Sequence, residues 1–423
     1  MSAELPSKAG LKRQVDDTYT TEWGRSVAFL LRLTRDLQAA EDCVQDAFES
    51  ALVYWRRDGV PDNPGAWIRK AAKHRFIDAA RSSRTRQEAL QRLSYLDQPS
   101  VLNNGVEELD ALVTDDELAL IFLCCHPAIA VTDQVMLTLR TVAGLPPRDI
   151  AAAFFAKNEA VRTRLLRAKR KIRGAGIPIK LPVAGEIDKR LRQVFAVIYL
   201  IFNEGYLASR GDDARRPDLT REAIRLAARL LELVPNNNES HGLLALLLFT
   251  DSRTPARLTA GDMLVPLDEQ DRTRWNHEVI SIAFEHLDRA LACEPPGRYA
   301  LQAAIAAEHS KAIDYAATDW SAIVALYDCL LEIEDSAVYR LNRCVAFSFA
   351  DSPLAALEQL AELGKEAALE SHHLLSATRG DFLRRAGRNE EALTAYQVAI
   401  GQADNASVQK FLQRRVGELE AKD

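Results

Sequence analysis

The stretch Glu159–Arg173, EAVRTRLLRAKRKIR, concentrates cations suited to gripping a polyanion. They are Arg162, Arg164, Arg167, Lys169, Arg170, Lys171 and Arg173. Val161, Leu165, Ala168 and Ile172 recur at helical spacing, so the stretch reads as an amphipathic helix with an apolar inner stripe. Upstream, LPPRDIAAAFF (Leu145–Phe155) reads as another short helix, opened by prolines. A tight break at 156–158 joins them into a helix-turn-helix. Its second helix has the charge to enter a major groove and hold phosphates. A solvated basic helix is the plainer reading, and the helix in front argues against it.

A second constellation lies near the N-terminus, in AAEDCVQDAFESALVYW (Ala39–Trp55). On a helix, Asp42, Gln45, Asp46 and Glu49 share one face, and Val44, Ala47, Phe48, Ala51 and Trp55 share the other. Such an acidic stripe fits a basic partner; otherwise it is a solvated face. NPGAW (Asn63–Trp67) follows, then the basic stretch IRKAAKHRFIDAARSSRTR (Ile68–Arg86). Lys73, Arg75, Arg81 and Arg84 suit phosphates. Trp67 and Phe76 can stack on bases, although core packing is their more ordinary role.

Enzymatic signals are missing. The chain has no nucleotide loop, no GxSxG, no HExxH and no spaced acid dyad. No catalytic residue, metal or cofactor is therefore expected. Cys124-Cys125-His126 invites a metal reading, but adjacent cysteines diverge on a helix and no second ligand pair lies nearby. The six cysteines show no CxxC pairing and read as reduced, half-buried residues.

The elements that carry these residues are helical. Apolar residues recur at i, i+3, i+4 almost throughout the 423 residues, which predicts an all-α protein of two or three domains. Gln91–Val113 is polar and reads as a linker, and Gly174–Gly185 (GAGIPIKLPVAG) reads as a connector. The net charge of −6 hides a split. Residues 1–185 carry roughly +4 and residues 186–423 roughly −10. No apolar run approaches a membrane span. The N-terminus lacks a signal core, so a cytoplasmic protein is expected.

The back half has a weak internal period. A small residue, a bulky one at +4 and a small one or Leu at +7 recur at Ala223, Ala283, Ile323, Ala356 and Ala392. The clearest copy is Ala392, Tyr396, Ala399, with Gly380 before it. The last four starts lie roughly 33–40 residues apart, near the 34 of tetratricopeptide (TPR) repeats. An irregular insert, Ser252–Gln270, interrupts the pattern. Asn203, Glu204 and Tyr206 interrupt an apolar helix, where Arg210, Arg272 or Arg274 could pair with Glu204.

In order, the AEDxVQ-type helix, NPGAW, the basic helix and the helix-turn-helix resemble the extracytoplasmic-function (ECF) sigma-70 factors over about residues 20–174. The fused tail resembles that of a subgroup with a TPR-like extension, through LIFNEGYLASRG (Leu200–Gly211), DEQDRTRW (Asp268–Trp275) and LQAAIAAEH (Leu301–His309). The resemblance implies sigma region 2 at 15–90, a linker at 91–113 and the region 4 helix-turn-helix at 114–174. A connector at 175–185, a helical extension at 186–300 and TPR-like repeats at 301–423 complete the chain.

The implied partners are core RNA polymerase and promoter DNA. Asp42, Gln45, Asp46 and Glu49 would bind the polymerase at the β′ clamp helices, and the β flap is a further contact. Lys73, His74, Arg75, Arg81 and Arg84 would bind the −10 element, and the loop Arg57–Asn63 would cup a flipped base. Glu159, Arg162 and Thr163 would reach −35 base edges, and Arg164, Arg167 and Arg170 the backbone. The sequence departs from the family at His74, at Phe154-Phe155-Ala156 and at Cys124–Pro127. The repeats would take a protein or small-molecule signal and regulate the front half. The alternative is a helix-turn-helix regulator with a TPR sensor that is not a sigma subunit.

Overall fold

The computed structural model describes residues 8–82, 116–154, 156–177, 179–182, 187–206, 216–257, 259, 263–364, 373–403 and 405–421. These residues form helices and contain no β-strand. The expected linker 91–113 lies outside them, as does Arg84. The chain divides into two compact units, Met1–Leu200 and Ile201–Asp423. The division falls inside one helix, Ile187–Tyr206, rather than at the Gly/Pro connector. None of the described helices is long and apolar enough to cross a membrane.

In the first unit, α1 (Lys8–Thr34), α2 (Leu37–Asp58) and α3 (Pro64–Ser82) pack mutually. Trp23, Val27, Leu30, Trp55 and Ile68 are buried among them. Asp36 caps α2 by accepting the Gln38 and Ala39 amides, which satisfies donors the helix start leaves free. Gly59 ends α2 at φ +85°, a conformation that disfavours a β-carbon. Residues 116–124 (α4), α5 (Val131–Thr141), α6 (Pro147–Ala153) and α7 (Asn158–Gly174) follow. The first part of α8 (Ile187–Tyr206) completes the unit. There Arg190 donates to the Phe122 carbonyl at 2.8 Å, and Gln193 to Gln134 at 2.9 Å.

The second unit is a succession of helices, each packed on the next. They are α9 (Pro217–Leu233), α10 (Asn238–Ser252), α11 (His277–Leu291), α12 (Arg298–Lys311), α13 (Trp320–Ile333) and α14 (Ala337–Ala350). Then come α15 (Pro353–Leu363), α16 (His373–Arg385), α17 (Asn389–Gln402) and α18 (Ala406–Glu420). The small–bulky spacing marks their contacts: Ala223, Ala283, Ala356, Ala392 and Tyr396 are all buried. Tyr396 lies on Gly380, where a β-carbon would come within 2.8 Å of the ring. Leu243–Phe249 sits inside α10 and is almost wholly buried.

The insert between α10 and α11 ties distant parts of this unit together. Glu269 pairs with Arg414 at 2.9 Å and Arg415 at 2.8 Å on α18. Arg272 donates to the His309 and Ala312 carbonyls at the end of α12, at 2.5 and 2.8 Å. These bonds satisfy carbonyls that a helix end leaves without partners.

Candidate nucleic-acid and partner interface

Helix α2 buries Val44, Ala47, Phe48, Ala51 and Trp55 and leaves Asp42, Gln45, Asp46 and Glu49 exposed. The acidic stripe holds itself in order: Gln38 donates to Asp42 at 2.8 Å and Gln45 to Glu49 at 3.2 Å. Leu52 and Val53 continue the stripe three and four residues beyond Glu49. With Tyr54 they are exposed, Val53 at 68%. Sequence reasoning missed this apolar end. Its signal was three consecutive large apolar residues on a helix that needs only part of its circumference for the core.

On α3, His74 and Arg75 are exposed and Lys73 is half-buried. Arg75 reaches the Ser50 hydroxyl at 3.2 Å. Arg81 lies in the helix. The loop before α3 is shorter than expected, because Arg57 and Asp58 belong to the last turn of α2 and pair with each other at 2.7 Å. Asn63 caps the Ala66 amide at 2.9 Å. Trp67 packs edge-on against Trp55, with centroids 5.6 Å apart.

Helices α6 and α7 pack together. Val161, Leu165, Ala168 and Ile172 are buried. Glu159, Arg162, Arg164, Arg167 and Arg170 are exposed and Thr163 is half-buried. Arg164 lies 3.8 Å from Asp133, and the guanidinium groups of Arg162, Arg167 and Arg170 face solvent.

Two cations of the basic helix pair with carboxylates on or before α2, which sequence reasoning did not anticipate. Lys169 donates to Glu41 at 2.9 Å and to Gln38 at 2.8 Å, and Arg173 pairs with Asp36. Glu41 is 1% exposed. It also accepts from Arg140 at 3.2 Å and from the Thr141 hydroxyl at 2.9 Å. Around this latch, Trp23 donates to the Thr141 carbonyl at 3.1 Å and Tyr19 to the Gly144 carbonyl at 2.9 Å. Gly24 lies so close that a β-carbon would meet the Val142 oxygen at 2.6 Å. The α1–α2 face is therefore packed on α5 and α7 within the first unit.

Glu41 was legible in principle. It stands four residues after Leu37 and three before Val44, on the apolar stripe. A carboxylate there needs partners when buried.

Cys124 and Cys125 are buried, and burial pushes the Cys125 thiol up to about 12. Among the described residues no group of three or more His, Cys, Asp or Glu side chains is placed to hold a metal. Cys43 and Cys344 are also buried, whereas Cys293 and Cys329 are exposed rather than half-buried. Arg272 and Arg274 hydrogen-bond to carbonyls, at His309 and Ala312 and at Pro255, and Arg210 lies outside the described residues.

Residues 21–86 match the family described as Sigma-70 region 2, which spans α2 with its acidic stripe and α3 with its basic face. Residues 190–291 match a family of unknown function (DUF6596). The chain is 40% identical over 401 residues to "Uncharacterized protein R00370" of Rhizobium meliloti (strain 1021), covering 94% of each chain. No solved structure matches. The chain belongs to one family with the rhizobial protein, and its match to Sigma-70 region 2 at residues 21–86 supports a sigma-70 family factor.

Proposed function

We propose that the chain is an ECF-type sigma subunit that recruits core RNA polymerase to a restricted set of promoters, with its second unit regulating that activity. The observation that carries this reading is the exposed stripe Asp42, Gln45, Asp46, Glu49 within the residues that match Sigma-70 region 2. A regulator that only binds DNA needs no such face. In this reading the stripe, ending in Leu52 and Val53, meets the β′ clamp helices, and the helix-turn-helix half also meets the β flap. Lys73, His74, Arg75, Arg81 and Arg84 serve the −10 element. Glu159, Arg162 and Thr163 read −35 base edges, and Arg164, Arg167 and Arg170 hold its phosphates.

The packing of α7 on α2 then has a consequence. The −10 and −35 elements lie roughly 25 base pairs apart, or roughly 85 Å of duplex at 3.4 Å per pair. A compact unit of 200 residues has a radius of gyration of roughly 16 Å. A packed first unit cannot touch both elements, so the Glu41 latch must open on the promoter. The second unit, as TPR-like repeats, takes a protein or small-molecule signal and biases that opening. The charge split between the two halves supports the coupling.

The test is reconstitution. The full chain should co-purify with core polymerase and give promoter-specific transcripts, and the D42K/D46K double variant should do neither. Promoter binding without any polymerase association would favour the plain regulator instead.

A further inference from the structure

The three stretches singled out in the tail meet at one place in the second unit. Tyr206 comes from the first, Arg272 and Trp275 from the second and His309 from the third. Arg253 and Arg257, at the end of α10 and just beyond, join them. The guanidinium of Arg272 lies 5.0 Å from the Trp275 ring, and that of Arg253 lies 5.7 Å from the same ring. Arg257 stacks on Tyr206 at 3.5 Å. Arg257 and Arg272 are buried, and so is Trp275 at 4% exposed.

This gathering is unbalanced in charge. Among the described residues Arg253 and Arg272 form no ion pair. Arg253 donates to the Phe249 carbonyl at 3.3 Å, and Arg272 spends its terminal nitrogens on two carbonyls and the Thr318 hydroxyl. Asp314 acts on Arg272 only at a distance. Like charges that crowd in a dry place need an anion or pay in stability. Three donors or acceptors there are buried without a hydrogen-bond partner: Arg272 Nε, Trp275 Nε1 and His309 Nδ1. Buried polar groups left this way call for an explanation. His309 is held neutral, because burial and then the charges of Arg253 and Arg272 push it down to about 3.

We infer that this cluster is a binding site for a phosphate-bearing small molecule. Guanidinium forks match phosphate oxygens two bonds at a time. The unpaired indole N–H of Trp275 supplies a further donor. The site would make the second unit a receptor for a soluble metabolite, and it stands whether or not the first unit binds polymerase.

Inorganic phosphate and pyrophosphate are the probes, titrated into the full-length chain at fixed ionic strength, with Tm and Trp fluorescence read together. Wild type should show a saturable rise in Tm and a saturable fluorescence change. Arg253→Gln and Trp275→Phe should each weaken apparent affinity at least tenfold, and Arg388→Gln, in an exposed pair with Glu391, should not. If Arg253→Gln fails to fold, Trp275→Phe decides by Tm alone, since it keeps an aromatic side chain and removes the indole donor. An absent or non-saturable response overturns the proposal. So does a rise shared equally by all variants, which is the general stabilising effect of excluded salts. So would tight binding of an acidic peptide with no response to phosphate.

Discussion

Lys169 and Glu41 lie 128 residues apart in sequence and 2.9 Å apart in the fold. One belongs to the basic helix and the other to the helix that carries the acidic stripe. Their contact makes the two proposed DNA-facing blocks parts of one packed unit. While the unit is packed, the contact also keeps a cation of the basic helix largely out of solvent.

Removing Glu41 should be costly. Glu41→Ala leaves Lys169 and Arg140 buried beside each other, with side chains 10% and 14% exposed. Losing one partner of a buried pair costs about 3–5 kcal/mol. Urea denaturation should show that loss, whereas Arg388→Ala should stay within about 0.5 kcal/mol. A near-neutral Glu41→Ala would mean that the latch contributes nothing.

Gly24→Ala tests the same seam sterically. The clashing atom is the Val142 backbone oxygen at 2.6 Å, which cannot rotate away. Overpacking of this kind costs about 1–3 kcal/mol. If the latch restrains promoter binding, the variant should be less stable yet bind promoter DNA more tightly. Weaker binding in a folded Gly24→Ala would argue that the packed state is the working one.

On α7, Arg162→Ala and Thr163→Ala should change the −35 preference by about 1–3 kcal/mol at the contacted base. Arg167→Ala should weaken all sequences alike and reduce the salt slope by about one. A promoter-mutant profile unchanged by Arg162→Ala would remove the base-contact assignment.

Acid should loosen the second unit. The pKa of His309 falls from 6.5 to about 3 on folding, so between those values the unfolded chain holds a proton that the folded one does not. Stability is then complete above about pH 6.5 and falls as pH drops towards 3, by up to about 1.4 kcal/mol per unit for one such group. His241 and His286, paired at 2.9 Å and both lowered by burial, act in the same direction. His309→Gln should flatten the slope of a denaturation series from pH 7 to 5. An unchanged slope would contradict the assignment.

Periodicity made the helices and their buried faces legible. Val161, Leu165, Ala168 and Ile172 are inside, and the acidic stripe on α2 is outside. Local spacing could not reveal Lys169 as a partner of Glu41, because that contact depends on how two blocks pack. The same limit hid the arginine cluster, whose members come from four separate stretches and cost nothing until the fold brings them together. The division into compact units falls at residue 200, past the Gly/Pro run, for a related reason. A Gly/Pro run in a sequence suggests a boundary, but α8 begins beyond it and its first turns anchor on Phe122 and Gln134. A truncation meant to isolate the first unit should therefore keep residues up to 200.

The most direct test of the central claim is run-off transcription with core RNA polymerase on a library of promoter fragments, with and without the full chain. Specific transcripts should appear only when the chain is present, and D42K/D46K should abolish them while its helical CD signal stays intact. Full promoter-directed transcription by that double variant, or none by the wild-type chain despite DNA binding, would contradict the account.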